Sequence, residues 1–95
     1  MRISERVSLV ASGALSVYLT HASDCNAYLV HGKKSCFLID TGTGFEQEAV
    51  IRAIVAELTA PLRYILITHL HADHTGGLAG IQAHFGAKVL VPEAE

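Results

Sequence analysis

Residues 68–77 constrain this chain more than any other segment, because they place a dense polar cluster directly after an apolar run. The cluster contains His69, His71, Asp73 and His74, and the apolar run before it covers residues 64–67. A hydrophobic core would not accommodate so many adjacent polar groups, since each would need a hydrogen-bonding partner once buried. Imidazole and carboxylate groups are ligands of Zn²⁺ and similar transition metals. The segment therefore predicts a strand that ends at a metal site.

A second strand end is predicted to lie beside the first. Residues 36–39 form a continuous apolar run that is typical of a strand buried on both faces, and Asp40 follows directly. An amphipathic helix follows, which Pro61 ends, and a strand covers residues 64–68. Strand–helix–strand units are parallel with a right-handed crossover, so both strands end at the same edge of one sheet. Asp40 and His69 are therefore expected to be neighbours in space, at the edge where open α/β sheets keep their sites.

The remaining elements complete an α/β pattern. We expect a hairpin of strands near residues 6–11 and 14–20, a strand at 27–31 that a turn at Gly32 connects to the next, a helix over about 77–85, and a third buried strand at 89–91.

Composition excludes several classes of function. The 95 residues form at most one small domain, and 51% of them are hydrophobic, which suffices for a core. A net charge of -2 favours neither nucleic acid nor an anionic membrane as partner, and no apolar run approaches the roughly 20 residues that span a bilayer.

Cys25 and Cys36 are too few for a disulfide framework, so reduced thiols in a cytoplasmic protein are expected. The competing interpretation of the N-terminus, a signal peptide, is disfavoured by Glu5 and by the serines of the apolar stretch.

The cluster can hold two metal ions. His69 and His71 are two residues apart and can point the same way in extended backbone to bind one metal, while Asp73 and His74 bind a second beside it. Two metals about 3.5–4 Å apart can hold a hydroxide and polarise a carbonyl or phosphoryl oxygen. Two roles are open for Asp40, and they are compatible: it can orient a ligand imidazole, together with Thr68, and it can bond the amides of residues 41–44. Three other histidines are expected to be ordinary surface or hydrogen-bonded side chains: His21, His31 and His84.

These motifs together resemble the metallo-β-lactamase superfamily. The resemblance rests on His69-Leu70-His71-Ala72-Asp73-His74, on Leu38-Ile39-Asp40-Thr41-Gly42, and on Asn26-Ala27-Tyr28-Leu29-Val30. It implies an α/β (α+β) fold, namely the N-terminal half of an αββα sandwich, with a mixed sheet and helices on one face. It also implies that His69 and His71 bind the first metal, that Asp73 and His74 bind the second, and that Asp73 takes part in catalysis. Zn²⁺ is the expected metal, two per complete domain, with iron or manganese as alternatives.

Family domains are roughly twice as long as this chain or longer, so residues 1–95 are expected to form a single partial domain. Its expected partners are a small-molecule substrate and a missing C-terminal half or a second chain, with a homo-oligomer possible. The expected function of the complete fold is metal-dependent hydrolysis of an ester, thioester or lactone by a metal-activated hydroxide. One alternative is a non-catalytic half-module that binds metal weakly or serves in assembly. Another is an iron-dependent oxygenase or redox protein of the same fold. Within it, the resemblance disfavours the flavo-di-iron electron carriers, which typically have a Glu where this chain has His71.

Overall fold

The chain folds around one mixed five-stranded sheet, as shown by a computed structural model that describes residues 1–69 and 72–91. The strands lie in the order in which they occur along the chain: β1 (Val7–Ala11), β2 (Ala27–His31), β3 (Cys36–Ile39), β4 (Leu62–Leu66) and β5 (Lys88–Leu90). β1, β2 and β3 pair antiparallel, whereas β3, β4 and β5 pair parallel. The parallel connections contain α1 (Gln47–Glu57), the single turn α2 (Ala72–Thr75) and α3 (Leu78–Phe85). The predicted strand–helix–strand unit and the mixed sheet are confirmed.

One face of the sheet carries the core. Leu29, Leu38 and Ile65 lie side by side in register on β2, β3 and β4, and none of them is exposed. They pack against buried residues of the helices, among them Ile54 of α1 and Ile81 of α3. The helices therefore cover a single face, as expected for half of a sandwich. Among the described helices, none is both long enough and apolar enough to cross a membrane.

The opposite face of the sheet is apolar and open. Phe37 and Tyr64 are register neighbours on β3 and β4, and Leu66 and Leu90 are register neighbours on β4 and β5. These four side chains are 37–44% exposed, although all four belong to paired strands. The Phe37 and Tyr64 rings meet edge to face, with centroids 5.4 Å apart. We call these four residues the open face.

The predicted strand at residues 14–20 is wrong. Residues 14–17 form turns instead, and the backbone of Tyr18 has a φ of 58°. Hydroxyl groups stabilise this loop: Ser12 Oγ accepts from the Val17 amide at 3.0 Å, and Thr20 Oγ1 accepts from the Ser12 amide at 3.1 Å. Such side chains offer the backbone an alternative to a strand ladder. Leu15 is fully exposed, so the apolar alternation in this segment faces no core.

Other elements differ from expectation mainly at their boundaries. β4 begins two residues earlier than predicted, because Leu62 pairs with Cys36 directly after Pro61. α3 ends as predicted at Gly86, which adopts the left-handed conformation with a φ of 68°. β5 is not the buried strand that was expected, because Leu90 is 44% exposed on the open face.

Candidate metal centre

Asp40 connects the ends of β3 and β4. Its carboxylate accepts hydrogen bonds from the Thr68 amide (Oδ1, 2.8 Å), from the Thr68 hydroxyl (Oδ2, 2.6 Å) and from His74 Nδ1 (Oδ2, 2.8 Å). The side chain of Asp40 is only 5% exposed, and its backbone has a φ of 64°, a left-handed value that is uncommon for a residue with a side chain. The carboxylate is therefore fixed at the strand edge, pointing at the segment that follows β4. Of the two roles considered for Asp40, the contacts are those of orienting an imidazole.

The hydrogen bonds determine which nitrogen of each imidazole carries the proton. A carboxylate can only accept, so His74 Nδ1 must be the donor to Asp40. The single O–H of Thr68 is donated to Asp40, so the 3.0 Å contact between Thr68 Oγ1 and His69 Nδ1 requires His69 Nδ1 to donate as well. When each imidazole is neutral, its lone pair is consequently on Nε2. This is the tautomer that a metal-ligating histidine adopts when an acceptor holds its other nitrogen.

His69 and His74 lie together at this edge. Their ring centroids are 5.0 Å apart, with the planes tilted by 48°. His69 is exposed and the side chain of His74 is 21% exposed, so both are accessible to an ion from solvent. The residues present thus fit a metal: two imidazoles whose Nε2 atoms carry lone pairs, next to a nearly buried carboxylate.

Two glycine-containing loops hold the backbone of His74 in place. The Thr41 amide and hydroxyl both donate to the His74 carbonyl at 2.9 Å, and the Gly77 amide donates to the Gly42 carbonyl at 3.2 Å. At Gly76 a side-chain carbon would overlap the carbonyl group of Thr43, so only glycine permits this approach of the two loops. The glycines that follow the histidine cluster are therefore required by packing.

Asp24 fixes a third loop at the same edge. Its carboxylate, on a residue only 8% exposed, accepts from Thr20 Oγ1, from the His21 amide, and from both the amide and the hydroxyl of Thr43. Burial raises the pKa of the Asp24 carboxyl, but the hydrogen bonds from Thr20, Thr43 and His21 outweigh it, and the pKa lies below its usual value. Asp24 is thus an anion that ties the loop before β2 to the loop after β3.

Cys25 follows Asp24 and adds sulfur to the site. One ligand atom each of Cys25, Asp40 and His74 lies within 4.8 Å of the other two. All three residues line an open cleft of about 600 Å³, together with residues of the loops before β2, including Ser16, Ser23 and Asn26. The sequence places Cys25 in a loop without support for a role at a site, and no pattern in it singles out Asp24. The antiparallel pairing of β2 with β3 is the signal that could have found them, because it places residues before β2 next to residues after β3.

The predicted site residues are described to different extents. The structure brings His69, His74, Asp40 and Thr68 together, as the parallel unit predicts. His71 lies outside the described residues, and Asp73 is described only as part of the backbone of α2. Their assignment as ligands, and the catalytic role of Asp73, therefore stay predictions.

The remaining histidines have ordinary surroundings. His31 is buried and hydrogen-bonded to Ser8 (2.9 Å) and Thr59 (3.1 Å). His84 is exposed on α3, and the ring of His21 packs edge to face on Phe45 with centroids 4.8 Å apart.

Known proteins resemble the chain in both sequence and structure. A hydroxyacylglutathione hydrolase of Albidiferax ferrireducens is 36% identical over 77% of this chain and 27% of its own length. An atrochrysone carboxyl ACP thioesterase of Aspergillus chevalieri is 38% identical over 88% of this chain and 27% of its own length. The solved structure of a mutant of a Cronobacter sakazakii metallo-β-lactamase with a HARLDQ motif superposes on 99% of this chain with a TM-score of 0.78 and 28% identity, and 34% of that protein is covered.

The chain therefore spans about a third or less of the length of these proteins. The family model of the metallo-β-lactamase superfamily matches residues 22–95, a span that contains Cys25, Asp40 and the whole histidine cluster. The chain belongs to the metallo-β-lactamase superfamily.

Proposed function

We propose that this chain is part of a metal-dependent hydrolase that acts on a thioester, another ester or a lactone. The observation that carries the proposal is the 2.8 Å hydrogen bond from His74 Nδ1 to the nearly buried Asp40 carboxylate. It gives His74 the orientation and tautomer of a metal ligand at the edge of the sheet where parallel strands end. The names of two relatives, a hydroxyacylglutathione hydrolase and a carboxyl ACP thioesterase, favour thioesters as the substrate class.

Zn²⁺ is the metal that we propose, with iron and manganese as alternatives, because imidazole and carboxylate serve all three. A bound metal supplies Lewis acidity toward the substrate carbonyl and a water whose pKa is lowered to about 7. His69 and His74 would hold it through Nε2, and His71 and Asp73 are the further ligands proposed. Two metals per complete domain are proposed on the same ligands.

The chain's own residues prepare this site without the metal. Asp40 and Thr68 hold the two imidazole rings in position, so little orientational freedom is lost when an ion binds. Asp24 fixes the loop that forms one wall of the cleft, and a small acyl substrate would enter between this wall and the histidines. Asp73 is proposed to hold or accept a proton during hydrolysis.

We also propose that the open face is covered in the complete protein by the remainder of a longer chain or by a second chain. The support is its exposed apolar side chains, Phe37, Tyr64, Leu66 and Leu90, in a chain that covers 34% or less of the relatives compared above. The same two observations favour a second candidate function for the 95 residues alone, which is that of a half-module that binds metal without turnover.

A chimera tests the proposal. The chain would be joined to the C-terminal part of the Albidiferax ferrireducens hydrolase, stripped with a chelator and reloaded with Zn²⁺. We expect release of thiol from an acyl-glutathione thioester that depends on Zn²⁺ and falls at least about tenfold in His74→Gln, since removing a metal ligand costs no less than removing a partner of a ligand.

His84→Gln is the matched control, because it makes the same chemical change at an exposed histidine of α3. It should leave the rate unchanged. A chimera that unfolds cooperatively and binds Zn²⁺, yet hydrolyses no thioester, ester or lactone, would contradict the proposed hydrolase and support the half-module.

A further inference from the structure

Cys25 reaches the metal centre through the pairing of β2 with β3. Tyr28 is opposite Ile39 in this antiparallel pair, so the residues just before β2 lie beside the residue just after β3, which is Asp40. The preceding residue, Asp24, is anchored by four hydrogen bonds to Thr20, His21 and Thr43. The position of Cys25 at the site is therefore built into the fold, and the thiol is not engaged in a disulfide.

We propose that Cys25 supplies a thiolate ligand to the metal held by His74. This inference rests on the proposed function, and it adds a sulfur ligand to a site that the sequence predicts from nitrogen and oxygen ligands alone. The geometry points to it: one ligand atom each of Cys25, Asp40 and His74 lies within 4.8 Å of the other two. The thiol proton would be released to solvent when the metal binds.

The separation between the Cys25 sulfur and a ring nitrogen of His74 suits a small metal ion. Zinc bonds to nitrogen and oxygen are near 2.0–2.2 Å and to sulfur near 2.3 Å, so neighbouring ligand atoms in a tetrahedral site are about 3.5 Å apart. A separation of up to 4.8 Å exceeds that value by about 1.3 Å at most, a difference that rotation of the half-buried Cys25 side chain in its loop can close.

A sulfur ligand has a consequence for metal choice. Thiolate favours softer ions such as Zn²⁺ and disfavours Mn²⁺, which prefers oxygen ligands. The complete site should therefore bind Zn²⁺ more selectively than its histidine and carboxylate residues alone would.

Co²⁺ provides the test, because a thiolate bound to Co²⁺ gives an intense charge-transfer absorption in the near ultraviolet that imidazole and carboxylate do not. We expect the wild-type chain to develop this band as Co²⁺ is added, in step with binding measured by calorimetry. Cys25→Ser should abolish the band and weaken Co²⁺ binding by roughly tenfold or more, the range seen when even an indirect partner of a metal ligand is removed.

Cys36→Ser is the matched control. Cys36 is fully buried at the opposite end of β3, beside His31 and Thr59, so its replacement should leave both the band and the affinity unchanged. A second readout needs no variant: Zn²⁺ should slow alkylation of Cys25 by iodoacetamide, located by peptide mass spectrometry, at least about tenfold.

The outcomes separate the two proposals. Co²⁺ binding without the charge-transfer band, a band that persists in Cys25→Ser, or alkylation that Zn²⁺ does not slow would each overturn the assignment of Cys25 while leaving the metal site intact. Absence of any Co²⁺ or Zn²⁺ binding to the wild-type chain would overturn both.

Discussion

The substitution Asp40→Asn should weaken metal binding although it preserves the size and shape of the side chain. The carboxylate receives one donor at Oδ1 and two donors at Oδ2. An amide has one accepting oxygen, so its NH₂ group must face at least one of these donors. If the oxygen takes the Oδ1 position, NH₂ points at Thr68 Oγ1 and His74 Nδ1, and the imidazole must move its proton to Nε2 to avoid a clash of donors.

That change of tautomer removes the lone pair through which His74 would bind the metal. Loss of such an orienting partner costs 10–100-fold in metal affinity, which corresponds to about 1.4–2.7 kcal/mol. The metal-free chain should also lose about 1–3 kcal/mol of stability, because at least one nearly buried donor is left without an acceptor. The alternative orientation would set the NH₂ group against the Thr68 backbone amide, which can only donate. The Thr68 hydroxyl and the imidazole can both become acceptors, so the first orientation is the expected one.

Calorimetric titration with Zn²⁺ measures the first effect, and chemical denaturation of the metal-free chain measures the second. Glu48→Gln is the matched control: it also converts a carboxylate to an amide, but its side chain is 92% exposed and only 4.0 Å from Arg52. It should change neither quantity, since an exposed ion pair contributes little. Wild-type Zn²⁺ affinity in a folded Asp40→Asn chain would refute the argument that Asp40 selects the tautomer of His74.

Three further results are expected. Burial and the nearby positive charge of Arg2 lower the pKa of His31 below its usual 6.5, so protonation of His31 favours the unfolded chain. The free energy of unfolding should therefore fall as the pH drops through 6.5 and level off below the folded-state pKa. His31→Gln should flatten this pH dependence in denaturation curves. Gly76→Ala should destabilise the chain by about 1–3 kcal/mol, because the added methyl group would overlap the backbone of Thr43. Gly86→Ala should cost less, about 1 kcal/mol, because its added methyl group contacts no atom and only the left-handed backbone is unfavourable. Leu66→Thr should reduce self-association in sedimentation experiments because it makes the open face more polar, whereas Val55→Thr, at an exposed position on α1, should not.

Each has an outcome that contradicts it. A stability profile with the same slope between pH 5 and 7 in wild type and His31→Gln would show that another group is responsible. Equal effects of the two glycine substitutions would mean that the approach of the loops at Gly76 is relaxed in solution. Self-association that is insensitive to Leu66→Thr would place the contact elsewhere on the molecule.

Local pattern accounts for the parts of the fold that were predicted correctly. The runs at 27–31 and 36–39 form strands because a period of two or a continuous apolar run matches the pleat, and α3 ends at Gly86 because only glycine adopts a left-handed cap without cost. The segment at residues 14–20 has a similar alternation, yet it forms turns. The Ser12 and Thr20 hydroxyls accept hydrogen bonds from backbone amides that a strand would pair with a neighbouring strand. Hydrophobic periodicity does not reveal this competition for the amides.

The sequence by itself determined the family, the parallel strand–helix–strand unit and the proximity of Asp40 to the segment after β4. These follow from short-range patterns and from the handedness of chain crossovers, which leave few alternatives. Only the tertiary structure decided that Asp40 accepts hydrogen bonds from Thr68 and His74, that Asp24 ties together two loops separated by nearly twenty residues, and that Cys25 lies beside Asp40 and His74. Such contacts join residues that are far apart in the chain, and they depend on strand register and on loop positions to within a few ångströms. Local sequence patterns do not encode either of these.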